Sequence, residues 1–254
     1  MRDQISPSQE PVIEAVGAGI RRMHSQDMAV EDLNWKVGAG EYWVVGGGHG
    51  SGKSAFLATV AGLRAPGAGV IRHFGRDLSL LSEEETIAQR LRVGFVFKNG
   101  GRIFSDLTVA ENVALPLRYH RDWTDEKARA AVQPLLESTE LTPLAAGTAK
   151  SLTTGWQERV GLARALALEP EVLFLDEPMA GLEAGQRLWW RGFLDQLSQG
   201  TPCTGGRKMT IIAATSEVSL WSGERRHFAL LNDRGWQSFG LSAIPPDMNE
   251  AVES

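Results

Sequence analysis

One cysteine, Cys203, is all that the 254 residues contain, so an internal disulfide cannot form and a Cys-rich zinc site is excluded on count. That scarcity fits a reducing compartment, and the cytoplasm is the expected location. A basic excess is missing too. Lys and Arg number 26 against 31 Asp and Glu, a formal charge of −5, which removes nucleic acid from the expected partners. No run approaches the ~18 uninterrupted apolar residues of a membrane-spanning helix. The opening MRDQISPSQEP, with Pro7 and Pro11, lacks the apolar segment of a secretory signal, so the chain is expected to stay where it is made. Internal repeats, low-complexity runs and long heptad segments are absent. What remains is ordinary globular usage, 43% hydrophobic and 22% charged, in a length that suits one large domain or two small ones.

The order of elements carries more. Residues 29–37, AVEDLNWKV, alternate loosely; Gly38, Gly40 and Glu41 then turn the chain into the apolar run YWVV, which ends in glycines and reads as a strand followed by a loop. From Ser54 to Leu63 apolar positions recur at helical spacing, stopping near Gly62 and Pro66. RVGFVF at 92–97 reads as another strand. Residues 98–150 form a helical insertion, its helices separated by Pro116 and Pro143. Helical composition returns at 155–168 and 183–198, with EVLFL at 171–175 and MTIIAAT at 209–215 as strands. HFALLN and GWQSFG read as a hairpin pair, and the last ten residues as a loose tail. Strands alternating with helices predict an α/β protein with a parallel sheet covered on both faces.

Gly47, Gly48, His49, Gly50, Ser51, Gly52, Lys53 and Ser54 spell GGHGSGKS, a match to G-x-x-x-x-G-K-[ST] lying after a strand and before a helix. Glycines let successive backbone N–H groups converge on phosphate oxygens, and the following helix turns its positive end to the same place. Lys53 is then expected on the β and γ phosphates and the Ser54 hydroxyl on Mg²⁺. The bland reading is a flexible glycine turn with an incidental lysine, which would need neither flanking element.

VLFLDE at 172–177 is an apolar strand ending in two carboxylates, and in a parallel sheet ligands bind beyond the carboxyl ends of strands. Asp176 can join the Mg²⁺ shell, and Glu177 can orient or deprotonate an attacking water. An exposed acidic turn before Pro178 is the competing reading. No N-K-x-D guanine-reading motif is present, which disfavours a GTPase.

In this order, GGHGSGKS, VGFVF at 93–97, SDLTVAENVALPL at 105–117, the region 152–156 and ERVGLARALALEPEVLFLDEP at 158–178 resemble the ATP-binding subunits of ABC transporters. The resemblance covers about Ala29 to Gly240, and RIFSDLTVAENVALPLR looks most like the branch that drives lipid-trafficking importers. It implies a P-loop NTPase of ABC type: a mainly parallel core sheet, an antiparallel β region and an inserted helical subdomain. Residues 1–97 and 151–240 would form the nucleotide-binding core, 98–150 the helical subdomain and 241–254 a C-terminal tail. It also implies two such subunits, identical or related, sandwiching two ATP molecules between the phosphate loop of one and the signature helix of the other. An integral membrane transporter subunit would hold the pair peripherally on the inner face of the cell membrane, and residues Asn99 to Leu117 would dock it. Ile103, Phe104, Leu107, Val109 and Val113 either line that groove or form the core of the insertion; the sequence leaves both open.

Several positions depart from the family pattern. Lys98 stands where Gln is usual after the VGFVF strand, and Glu183 where Asp is usual. Leu152, Thr153, Thr154, Gly155 and Trp156 replace Leu-Ser-Gly-Gly-Gln; Ser216 replaces the switch His, unless that alignment slips by a residue or two. Met23 and His24 occupy the stretch where an adenine-stacking aromatic is usual. Lys98 places a cation where a neutral amide would approach the metal, Thr154 adds a Cβ where glycine admits phosphate, and Ser216 removes an imidazole donor. Thr153, Thr154 and Gly155 remain candidate nucleotide contacts, as do Lys98 and Ser216. The expectation is Mg-ATP binding with slow hydrolysis, the alternative being a regulatory or scaffold subunit paired with an active ATPase.

Overall fold

The computed structural model describes residues 10–23, 25–223, 225–233, 235–241 and 244. β1 (Ile13–Arg21) and β2 (Met28–Val37) run antiparallel. β3 (Tyr42–Gly46) is buried at every residue, as befits the YWVV run. It is followed by α1 (Lys53–Val60), which ends three residues before the Leu63 expected from its periodicity. The reason is Gly62, at φ +72°: this left-handed residue lets Leu63 N–H reach back to the Ala58 carbonyl at 2.9 Å, closing the helix.

β4 (Ala68–His73) and the short β5 (Arg76–Asp77) precede α2 (Glu83–Leu91), which a reciprocal Ser82–Glu85 capping box starts. β6 (Val93–Val96) leads into the helical region, α3 (Val109–Arg121) and α4 (Asp125–Ser138). Thr108 and Glu111 form a second capping box at the start of α3. Pro116 does not separate helices as its sequence suggested; it lies inside α3, and Pro134 lies inside α4. A proline there forfeits one backbone bond at a cost of about 3 kcal/mol. Around Pro116, complete burial of Val113 and near-complete burial of Ala114 and Leu117 offsets that loss.

After α5 (Thr154–Leu166), β7 (Val172–Asp176), α6 (Ala184–Gln199) and β8 (Thr210–Thr215) alternate as expected. β9 (His227–Asn232) and β10 (Gly235–Leu241) form the anticipated hairpin. Leu241 belongs to that last strand rather than to the tail; apart from residue 244, the rest of 241–254 lies outside the described residues.

Among the described residues these strands make two sheets, β2-β1-β4-β5, which is antiparallel, and β10-β9-β3-β8-β7-β6, in which every pairing but β10 with β9 is parallel. The larger sheet is buried on both faces. Tyr42, Val44, Leu173, Leu175 and Ile211 pack with α3, α5 and α6, whereas Trp43, Val45, Phe174 and Ile212 pack with α1 and the antiparallel sheet. Alternate residues of one strand thus feed opposite cores, the expected consequence of a two-residue side-chain period. The carboxyl ends of β3, β7 and β8 come together at one edge, and the loops leaving them build the site.

Candidate functional site

Residues Gly47–Gly52 leave β3 as a tight loop that delivers Lys53 and Ser54 to the first turn of α1. Two glycines are sterically required. A Cβ at Gly47 would meet the Leu231 carbonyl, and Gly52, at φ +104°, would put one 2.5 Å from the Ala29 Cβ. Lys53 is buried, and its ammonium donates to the Gly47 carbonyl at 2.7 Å and the Gly48 carbonyl at 2.9 Å. It also sits 3.3 Å from Glu177 Oε1. A cation is therefore folded back into the loop whose amides it accompanies.

Asp176 ends β7 opposite this loop. Burial pushes its carboxyl above the usual carboxylate range, a hydrogen bond from Ser54 pulls it down, the neighbouring Glu177 charge raises it, and Lys53 and Lys98 lower it. Asp176 Oδ1 and Ser51 Oγ are buried with no hydrogen-bond partner, and unmade bonds of this kind are costly unless a ligand completes them. Glu177 adopts φ +51°, a left-handed conformation held by its N–H on the Ala214 carbonyl at 3.0 Å. Its Oε2 accepts from the Ser216 N–H at 3.0 Å and the Ser216 hydroxyl at 3.2 Å. The residue following TIIAAT thus reaches the carboxylate pair.

Lys98 opens an exposed turn after β6, within electrostatic reach of Asp176. Thr153, Thr154 and Gly155 are not part of this cluster. They begin α5, with both threonines exposed and Gly155 packed against Leu182, which precedes α6, and against Gln186 of α6. Among the described residues, no hydrogen bond or ion pair ties them to Lys53 or Glu177. Glu183 is exposed at the start of α6. Trp156 stacks on the Arg159 guanidinium, which lies 4.5 Å from its ring centre and 3.7 Å from that of Trp189, and Arg159 also pairs with Glu140 at 2.7 Å. This knot ties the start of α5 to α6. Met23 is exposed and receives a contact from Arg64, while His24 lies outside the described residues.

Two features escaped the sequence reading. Arg22 donates to the Gly50 carbonyl of the phosphate loop and pairs with Asp233 at 3.3 Å, a reach across the chain that no local pattern signals. Glu158 is 1% exposed, and both its carboxyl oxygens lack partners. Its helix is pressed on the turn after β6 so closely that a Cβ at Gly100 would lie 2.9 Å from Glu158 Cα. Burial raises the Glu158 carboxyl from its ordinary 4.5 to about 8, with no other cause. The neutral form suits the fold, so stability is full below the ordinary carboxyl range and is lost progressively as pH rises towards 8. Glu158→Gln cannot ionise, and its thermal melting, followed from acid to about pH 8, is expected to vary distinctly less with pH than that of the native chain. Parallel profiles would refute a buried, titrating Glu158.

The proposed groove residues divide. Val109 and Val113 are wholly buried in the core because they occupy the inward face of α3. Ile103, Phe104 and Leu107 instead line an open cavity of about 730 Å³ with Leu115, Pro116 and Tyr119. Asn112 fixes that loop, accepting from the Phe104 N–H and donating to its carbonyl, both at 2.9 Å.

Comparison with known proteins gives a consistent result. The family pattern described as ABC transporter matches residues 30–180. A sulfate/thiosulfate import ATP-binding protein of Synechococcus elongatus is 40% identical over 192 residues, 74% of this chain and 53% of that protein. The protein of the same description in Escherichia coli K12 is 36% identical over 185 residues, 72% and 49% respectively. The chain thus spans about half the length of the curated relatives it matches. An ATP-binding cassette solved as a dimer in a post-hydrolysis state, bound to ADP and Pi, superposes with a TM-score of 0.78 at 24% identity, covering 91% of this chain and all of that one. A Clostridium perfringens cassette that is part of an ABC transporter complex gives 0.74 at 23%, covering 92% of this chain and 89% of that one. These likenesses fix the fold.

Proposed function

The chain belongs to the ATP-binding family of ABC transporters, and from that premise we propose that it binds Mg-ATP at the loop of residues 47–54 and hydrolyses it slowly to drive a membrane partner. The observation that carries this reading is the buried contact of Lys53 with Glu177 beside two unpartnered polar atoms, the Ser51 hydroxyl, which can donate to phosphate, and Asp176 Oδ1, which can accept or ligate. Those orphans suit phosphate and metal. Ser54 and Asp176 would hold Mg²⁺, which supplies neutralisation of phosphate charge when bound. Among the described residues no three His, Cys, Asp or Glu side chains gather to hold a metal by themselves, so the ion would arrive with the nucleotide.

In this reading Lys53 leaves the Gly47 and Gly48 carbonyls for the β and γ phosphates, and its departure frees Glu177 Oε1 to accept a proton from water. Ser216 keeps Oε2 oriented. Lys98 contacts phosphate rather than metal, since a cation cannot ligate one. Thr153, Thr154 and Gly155 face a second subunit, identical or related, whose nucleotide they would contact. In this division residues 1–97 and 151–240 form the nucleotide-binding core and 98–150 the helical subdomain. The groove of Ile103, Phe104 and Leu107 takes a membrane subunit, which would keep the chain on the cytoplasmic face; no helix of the described residues is long and apolar enough to cross a membrane. The relatives above are named for sulfate and thiosulfate import, and we extend an oxyanion importer to this chain in preference to the lipid branch suggested by residues 102–118.

Slow turnover is favoured by Ser216, whose hydroxyl occupies the position beside Glu177 without the basicity of imidazole. Calorimetric titration with ATP, with and without Mg²⁺, tests the site, and phosphate release tests turnover. Saturable heat that weakens at least tenfold when Mg²⁺ is withheld, and that loses this dependence in Asp176→Asn, is the expected result. Absence of heat at millimolar nucleotide would overturn it.

A further inference from the structure

At the opposite end of the large sheet from Lys53, where β3 begins rather than ends, a polar cavity of about 440 Å³ lies between the last turn of α6 and the segments leading into β8 and β9. Tyr42, Asp195, Ser198, Gln199, Lys208 and Arg225 line it. The charges there do not balance. Asp195 is committed to the buried Arg226, with which it forms an ion pair. Lys208 and Arg225 take part in no ion pair among the described residues. Arg191 belongs to the same field, since it and Arg226 act on the Tyr42 phenol together with Asp195. Among the described residues, two cations without an ion pair, Lys208 and Arg225, therefore line the cavity beside one carboxylate that is already used.

The hydrogen-bond ledger points the same way. Tyr42 is 3% exposed and its hydroxyl has no partner; Arg191 Nε and Arg226 Nε are likewise buried without an acceptor. All three unmet groups can donate; of them Tyr42 lines the cavity, where an incoming acceptor would answer its hydroxyl. Burial pushes the Tyr42 phenol upward, so the hydroxyl keeps its proton and remains a donor. We infer that this cavity binds a small tetrahedral oxyanion, phosphate or sulfate, free or as the anionic group of a small molecule, through Lys208, Arg225 and the Tyr42 hydroxyl. Charge-assisted hydrogen bonds from two cations and a neutral donor are the usual means of holding such a group. The site is separate from the phosphate loop, which follows the other end of β3.

Calorimetry of the full chain in chloride buffer, with sodium phosphate, sodium sulfate and glycerol 3-phosphate as probes, tests this. Lys53→Ala provides a background in which the phosphate loop is disabled, and the native chain provides the same measurement with it intact. Saturable heat with an inorganic anion is expected, weakened roughly tenfold by Lys208→Ala or Arg225→Ala and severalfold by Tyr42→Phe. Because the Tyr42 hydroxyl makes no bond in the chain, Tyr42→Phe should melt no lower than native, which separates lost binding from lost folding. Heat with the ester alone assigns the oxyanion to a small molecule that carries it. No saturable heat with any probe, or heat indifferent to all three substitutions in both backgrounds, overturns the inference.

Discussion

Lys53→Ala is expected to abolish measurable Mg-ATP binding while lowering thermal stability, and the two effects share one cause. The ammonium makes two hydrogen bonds to loop carbonyls and one ion pair, at 2.7, 2.9 and 3.3 Å, and both members of the pair are largely buried. Contacts of this kind to phosphate are worth about 1.5–3 kcal/mol each, so losing two of them weakens nucleotide binding by at least ~100-fold. The native pair also matters without nucleotide. Removing one partner of a buried ion pair costs about 3–5 kcal/mol, because the charge left behind has lost its compensation. Here Glu177 retains the Ser216 N–H and hydroxyl, so the destabilisation should fall at the low end of that range. Titration calorimetry and melting on the same preparation measure both quantities. Unaltered affinity would remove Lys53 from the site, whereas unaltered melting with lost affinity would mean that its contact with Glu177 contributes nothing to the free chain.

What the sequence makes legible is chemistry that requires particular residues at short spacing. GGHGSGKS specifies its own backbone, because Gly47 and Gly52 occupy positions where a Cβ would meet Leu231 or Ala29. VLFLDE locates a buried strand and its carboxylates together, and TIIAAT leads directly to Ser216. Elements whose pattern is interrupted are harder to read. β1 contains Gly17 and Gly19, and its register shifts on both sides, so the alternation that marks a strand is broken. α2 carried a readable signal, Ser82 followed by Glu85, whereas Pro116 gave a misleading one, since tertiary burial overrides its helix-breaking tendency. Glu158 was illegible in principle. Nothing adjacent to it in sequence announces burial; that comes from the turn at Gly100, brought onto α5 by the fold.

Glu177→Gln separates binding from turnover. The amide retains one acceptor for the Ser216 donors, but it turns an NH₂ towards Lys53 and cannot take a proton from water. Loss of a positioned general base typically costs on the order of 10²–10⁴ in rate, so phosphate release should fall by about that factor. Affinity for Mg-ATP should not fall, because Lys53 is no longer held by a carboxylate and reaches phosphate without breaking an ion pair. Ser216→His supplies the complementary arm. An imidazole 39 positions along the chain from Glu177, in place of a hydroxyl 3.2 Å from Oε2, introduces a donor that titrates near neutrality. If Ser216 is what slows the native chain, this variant gains rate and acquires an additional inflection near neutrality from the imidazole. The gain must disappear in the Glu177→Gln, Ser216→His double variant, since the imidazole acts beside a carboxylate that is then missing. A double variant as fast as Ser216→His alone would show that Glu177 is not the base.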